Sequence, residues 1–120
     1  MDDKPYYLIG DVDIHNMDEY KIYMQNTKPI VEKYGGEYLV RGGNIEAKDT
    51  QLWEPTRMVL VKFPNKASAE EFYKSEEYKP FKDMRHKNAS STIIFVESFW
   101  VNQIIHIEER LQALEKIWQR

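Results

Sequence analysis

Residues 57–63 read RMVLVKF and residues 92–99 read TIIFVESF, and the two runs share one property. In MVLV (58–61) and IIFV (93–96) every position is apolar, so both surfaces of each strand are hydrophobic. A strand with one wet face would alternate instead. YYLIGDVDI, Tyr6–Ile14, does alternate, with Leu8, Gly10, Val12 and Ile14 against Tyr7, Ile9, Asp11 and Asp13. A further strand, Glu37–Arg41, lies within YGGEYLVRGG (34–43), a short apolar run between two glycine pairs. Gly35 stands where a helix needs a left-handed terminating residue. Gly42 and Gly43 predict a bend, after which Ile45 and Ala47 alternate as if the strand resumes.

Helical signals fill the gaps. Asn16 caps a helix with Asp18 and Glu19 at its positive end, and Met17, Tyr20, Met24, Thr27, Val31 and Tyr34 recur at steps of three and four. Pro29 predicts a kink or brief break near residues 26–28. Asn65 caps the next helix, with Ala69, Phe72 and Tyr73 facing inward. Ser75 begins another turn, carrying Glu76 and Glu77 ahead of a tolerated Pro80, and Tyr78, Phe81, Arg85 and Asn88 line one side. Residues 103–119 predict a last helix with Ile104, Ile107, Leu111, Leu114 and Trp118 in a narrow stripe.

The order β-α-β-β-α-β predicts an α+β, ferredoxin-like sandwich over residues 1–100. It has a four-stranded antiparallel sheet with both main helices on one face, and residues 101–120 add a C-terminal amphipathic helix. The other face must then be covered. A second copy brought sheet to sheet makes a homodimeric α+β barrel, and the narrow terminal stripe suits a helical seam better than a broad lid.

The 120 residues suffice for one domain. Seventeen basic and twenty acidic residues are interspersed, giving a net charge of −3 and no basic stripe for nucleic acid or anionic lipid. The absence of cysteine excludes disulfides, thiol nucleophiles and zinc–thiolate centres. The N-terminal MDDKPYY has no apolar signal core and no apolar run approaches membrane-spanning length, so the expected location is cytoplasmic, with no membrane partner.

KYGGEYLVRGG (33–43), WEPTR (53–57), LVKFPN (60–65), FYKSEEYKPFKDMR (72–85) and FVESF (95–99) together resemble the bacterial family filed as domain of unknown function 1330. That family lies in the dimeric α+β barrel superfamily, and the resemblance covers residues 6–99. It implies a ferredoxin-like protomer and a homodimeric barrel. Superfamily relatives include cofactor-free monooxygenases, lactone isomerases and haem-handling proteins, but a shared fold does not fix a function.

Arg41 beside Gly42 and Gly43 is the leading site candidate: a guanidinium next to bare backbone suits a carboxylate or enolate oxygen. The structural alternative is a bulge, with Arg41 paired to a nearby acid. Trp53, Glu54 and Arg57 would wall a cavity between sheet and helices, or else pin a loop through a buried indole and a surface ion pair. Tyr78 and Arg85, seven residues apart, share one helical face. His86 is a weak candidate general base and otherwise a solvated residue near a helix end. Asp11, Asp13 and His15 have a spacing that could serve manganese or iron, yet no fourth ligand is evident and the reading is no metal. Asp11 and Glu97 are expected as neighbours across two strands, a carboxyl pair with raised proton affinity.

Tyr20, Tyr23, Tyr34, Tyr38 and Tyr73 read first as packing and second as the wall of an aromatic-ligand cavity. No phosphate loop or nucleophile elbow is present. The sequence therefore points to a cytoplasmic homodimer that binds a small organic anion near Arg41 without a cofactor. The alternatives are a cofactor-independent monooxygenase- or isomerase-like enzyme acting on a small aromatic or enolisable substrate, and a non-catalytic module that docks through its C-terminal helix.

Overall fold

The computed structural model describes residues 4–99 and 111–115. Its order is β1 (Tyr6–Ile14), α1 (Met17–Lys33), β2 (Glu37–Arg41), β3 (Met58–Phe63), α2 (Lys66–Lys74), α3 (Lys79–Asn88) and β4 (Ala89–Glu97). The strands form one antiparallel sheet in the order β2-β3-β1-β4, the ferredoxin-like arrangement that the element order predicts. β1 therefore lies inside the sheet, flanked by β3 and β4.

Alternation sorts the strand residues into two layers. Leu8, Val12, Val61 and Phe63 enter the core with Tyr20, Tyr23 and Val31 of α1, Ala69 and Phe72 of α2, and Tyr78 just ahead of α3. The aromatic rings interlock: Phe72 lies 4.4 Å from Tyr78 and 5.6 Å from Phe63, centroid to centroid. On the opposite surface Ile94 (48% exposed), Val96 and Val40 are open to solvent. Met58 and Leu60 of β3 and Ile9 of β1 share that surface and are only half-buried. The described helices leave this apolar layer uncovered.

The helix termini follow their local chemistry. The Asn16 side chain accepts from the Glu19 amide, and Asn65 does the same for Ser68 at 2.8 Å. Gly35, at φ +86°, ends α1 as predicted, donating to the Glu32 carbonyl while the Gly36 amide reaches that of Val31.

Five expectations change. α1 runs unbroken through Pro29, with no interruption at residues 26–28. Pro29 and Gln25, whose carbonyl loses its amide partner, are both exposed, so the lost bond is not buried and the helix tolerates it. The strand does not resume after Gly43: residues 44–56 are irregular, and the register shift falls earlier, between Tyr38 and Val40. β4 begins at Ala89 and ends at Glu97, because it pairs with the whole length of β1. The Ser75 hydroxyl organises a turn, accepting from the Tyr78 amide at 3.2 Å, and α3 itself starts at Lys79. Lastly, Asp11 faces Thr92 and Glu97 faces Tyr6, so the two carboxylates are not neighbours. Glu97 pairs with Lys4 instead.

Among the described residues no helix is long and apolar enough to cross a membrane. Residues 111–115 are helical, with Leu111 and Leu114 exposed; the rest of the predicted terminal stripe, Ile104, Ile107 and Trp118, lies outside the described residues.

Candidate functional site

One end of the sandwich gathers cations. β2 finishes there with Arg41, β3 begins just after Arg57, and α3 brings Arg85 to its last turn. All three line a cavity of about 30 Å³ between sheet and helices, walled by Tyr20, Tyr23, Tyr38 and Tyr78. The tyrosines at 20 and 23 are in this wall because α1 turns both toward the sheet, with their rings stacked 4.8 Å apart.

The partners of these arginines are unusual because none of them is a carboxylate among the described residues. Arg41 Nη2 donates to the Met24 carbonyl at 2.6 Å and its guanidinium lies 4.5 Å from the Tyr38 ring. Arg57 Nη2 contacts the Met24 thioether at 3.5 Å, a weak acceptor. Arg85 is 2% exposed; it donates to the Tyr78 hydroxyl at 2.9 Å and the Tyr73 hydroxyl at 3.1 Å, with His86 Nε2 at 3.2 Å. Arg85 Nε and the hydroxyl of Thr27, also 2% exposed, are buried without a hydrogen-bond partner. A buried polar group without a partner costs free energy, so two such groups beside one cavity mark it for an occupant.

Electrostatics agree with this reading. Burial, with Tyr23 nearby, pushes the Tyr20 hydroxyl up to about 12, while Arg57, Arg85 and Arg41 pull it back. Burial likewise raises Tyr38 and Tyr78 above the ordinary phenol range. Burial works against the charge on Arg85, yet the Tyr78, Tyr23 and Tyr73 hydroxyls hold its proton more firmly than in an ordinary arginine. At neutral pH the site therefore presents guanidinium groups beside the protonated phenols of Tyr20, Tyr38 and Tyr78, donors that suit an oxyanion, with one phenol proton already used between Tyr23 and Tyr78.

Gly42 is part of this construction. Its φ is +72°, and a Cβ there would lie 2.6 Å from Nε of Arg57, so bare backbone leaves room for that guanidinium. A Cβ at Gly43 would meet nothing within 4 Å.

Of the residues expected at a site, the fold brings together Arg41, Gly42, Arg57, Tyr78 and Arg85. Gly43 stands beside them without a contact. His86 is exposed and touches the site only through Arg85. Trp53 is a correction: it lies on the opposite sheet surface, in a depression of about 400 Å³ with Ile9, Asp11, Met58, Thr92 and Ile94. Its indole is exposed and donates to Asp11 Oδ2 at 3.0 Å. Glu54, next to it, is also exposed. The bland expectation for Arg41, an acidic partner, is not what the structure shows either.

Asp11 is occupied as a clamp, taking the amides of Thr56 and Arg57 on Oδ1 at 2.9 and 3.0 Å. Burial raises its proton affinity, but the Arg57, Thr56 and Trp53 donors outweigh this and hold the carboxyl below its usual range. His15 turns to Ser90 at 3.1 Å and to Asp13 at 3.9 Å, away from Asp11. Met24 and Thr27 were legible only as members of the α1 stripe; their polar atoms gain meaning once β2 and β3 deliver arginines opposite them.

The family model for the Domain of unknown function DUF1330 matches residues 5–99. No curated protein matches the chain. Among solved structures, the chain is similar to a protein of unknown function from Rhodopseudomonas palustris, at 16% identity and TM-score 0.65 over 82% of this chain and 85% of that one. It is also similar to a dimeric ferredoxin-like protein of unknown function from Jannaschia sp. CCS1, at 14% identity and TM-score 0.63 over 78% and 99% of the two chains. A third is SnoaB, a cofactor-independent oxygenase from Streptomyces nogalater, at 9% identity and TM-score 0.56 over 82% and 96%. At such identities the likeness is one of fold.

Proposed function

The chain belongs to the DUF1330 family, and on that premise we propose that it is a homodimeric binder of a small organic anion held by Arg41, Arg57 and Arg85. The observation that carries this is three guanidinium groups lining one cavity with neutral partners only among the described residues. A buried cation without a counterion costs several kcal/mol in a protein interior, so an anion that supplies one recovers that free energy. The phenols of the wall add neutral donors, and the apolar strands behind them exclude water from the bound charge.

The dimer answers a separate need. Ile94, Val96 and Val40 are exposed on the helix-free surface beside the half-buried Leu60 and Met58. Covering a few hundred Å² of that surface contributes several kcal/mol at roughly 25 cal/mol/Å². A second copy applied face to face does this by two-fold symmetry, and the Jannaschia relative is itself described as dimeric.

The test has two arms. Calorimetric titration with a panel of small carboxylates should give saturable binding that Arg41→Ala weakens without unfolding the chain; unchanged affinity removes Arg41 from the site. Sedimentation equilibrium at micromolar concentration should give twice the 14.4 kDa chain mass, and a single-chain mass refutes the dimer.

The oxygenase reading ranks second. It is favoured by the phenolic lining and by the SnoaB likeness of fold. A cavity of about 30 Å³ does not admit an aromatic ring unless Met24 and its neighbours move, which is why binding of a compact group comes first. Turnover of an enolisable substrate with oxygen uptake would reverse that order.

A further inference from the structure

The anion cavity has two separate centres of positive charge. At the mouth, the half-buried Arg41 and Arg57 both lean on Met24, one on its carbonyl and one on its sulfur. Deeper, Arg85 is held by Tyr73 and Tyr78, with its Nε unpaired, and the buried Thr27 hydroxyl is unpaired as well. Between the two centres the lining is apolar or aromatic: Val12, Tyr20, Val59 and Ile93. The free space in the whole cavity is small, about 30 Å³, and partly open to solvent, so an occupant that spans both centres needs the Met24 side chain to swing aside.

Resting on the anion-binding reading, we infer that the ligand is a short-chain dicarboxylate. One carboxylate reaches the deeper centre, accepting from Arg85 Nε and the Thr27 hydroxyl. The second replaces the Met24 sulfur as the acceptor for Arg57 and takes a further donor of the Arg41 fork, and the short carbon chain lies along the apolar lining. The Met24 side chain suits the exchange at Arg57, because an unbranched thioether changes rotamer readily and gives up only a weak acceptor, while Arg41 keeps the Met24 carbonyl through Nη2. A monocarboxylate satisfies one centre and leaves the other as it was. Two charged contacts on one rigid-length ligand act together, so affinity should depend steeply on the spacing of the carboxylates.

Titration calorimetry of the full chain with acetate, malonate, succinate, glutarate and inorganic phosphate, at neutral pH and low salt, tests this. One of the three dicarboxylates should bind at least tenfold tighter than acetate. Arg85→Met should bring that ligand down to the level of acetate, and Arg41→Gln, at the half-exposed mouth, should do so even if the buried variant fails to fold. Acetate as tight as every dicarboxylate, or phosphate tighter than all of them, overturns the dicarboxylate assignment and leaves the anion site standing. No binding of any of the five overturns the anion site itself.

Discussion

Removing one oxygen from Tyr78 probes the interior charge without disturbing its packing. The Tyr78 hydroxyl accepts from Arg85 Nη1 at 2.9 Å and shares a proton with the Tyr23 hydroxyl at 2.7 Å. Tyr78→Phe keeps the ring that packs 4.4 Å from Phe72, so no cavity opens beyond one oxygen. What is lost is a hydrogen bond to a charged donor, about 1.5–3 kcal/mol, and a neutral one of about 1 kcal/mol. The expected destabilisation is therefore roughly 3 kcal/mol, read as a lower urea midpoint with an unchanged m value. In a domain of this size that corresponds to a fall in Tm of about 10 °C. The cycle with Arg85→Met isolates the cause: once the guanidinium is gone, the same oxygen should matter at least about 1 kcal/mol less. A loss below about 0.5 kcal/mol in the single variant, or no coupling in the cycle, refutes the claim that the phenols stabilise a buried guanidinium.

Three further outcomes can be checked together. Gly42→Ala should cost about 1–2 kcal/mol, because φ is +72°, and should weaken anion binding by displacing Arg57; Gly43→Ala, which meets nothing, should do neither. The contribution of the raised phenols to stability should be complete below about pH 10, the unfolded phenol value, and be lost above it as the unfolded chain ionises while Tyr20, raised to about 12, and the more strongly raised Tyr38 and Tyr78 keep their protons. Three such groups give a slope of roughly 4 kcal/mol per pH unit, measured by unfolding at stepped pH; full phenolate absorbance in a still-folded chain at pH 10 would contradict it. Asp11→Ala should speed hydrogen exchange at the Thr56 and Arg57 amides, both held by Asp11 Oδ1, and unaltered protection would remove Asp11 as a clamp.

The sheet was legible because its determinants are local. Alternation in β1, continuous apolarity in β3 and β4, and glycine after α1 each follow from a few adjacent residues. Pro29 misled because proline breaks a helix only where its lost bond cannot be replaced, and exposure is a tertiary property. Glu97 misled for a similar reason: register is fixed by pairing along the whole strand, and a single carboxylate carries no register. Arg41, Arg57, Tyr78 and Arg85 could be named from their neighbours in sequence, but their convergence on Met24 and Thr27 required knowing which face of α1 meets the end of β2. Trp53 was misplaced because a long irregular connection has no periodicity to say which sheet surface it crosses.

That connection ties the two surfaces of the sheet together. Asp11 is on the helix-free surface, yet its carboxylate holds the amide of Arg57, and the side chain of Arg57 enters the cavity on the other surface. The same carboxylate holds the Trp53 indole over the depression formed with Ile9, Met58 and Ile94. Whatever covers that depression presses on the clamp that positions one of the three cations. Coverage by a second copy would restrict Trp53, steady Asp11 and narrow the positions open to Arg57 before any ligand arrives, which lowers the ordering cost of binding. Anion affinity should therefore rise with the dimer fraction. Val96→Glu, placing a charge on the uncovered surface at a position that lines neither the anion cavity nor the Trp53 depression, separates the two terms. If it dissociates the dimer and weakens the anion several-fold, the surfaces are coupled; if it yields monomers that bind as tightly as before, Asp11 secures the loop and nothing more.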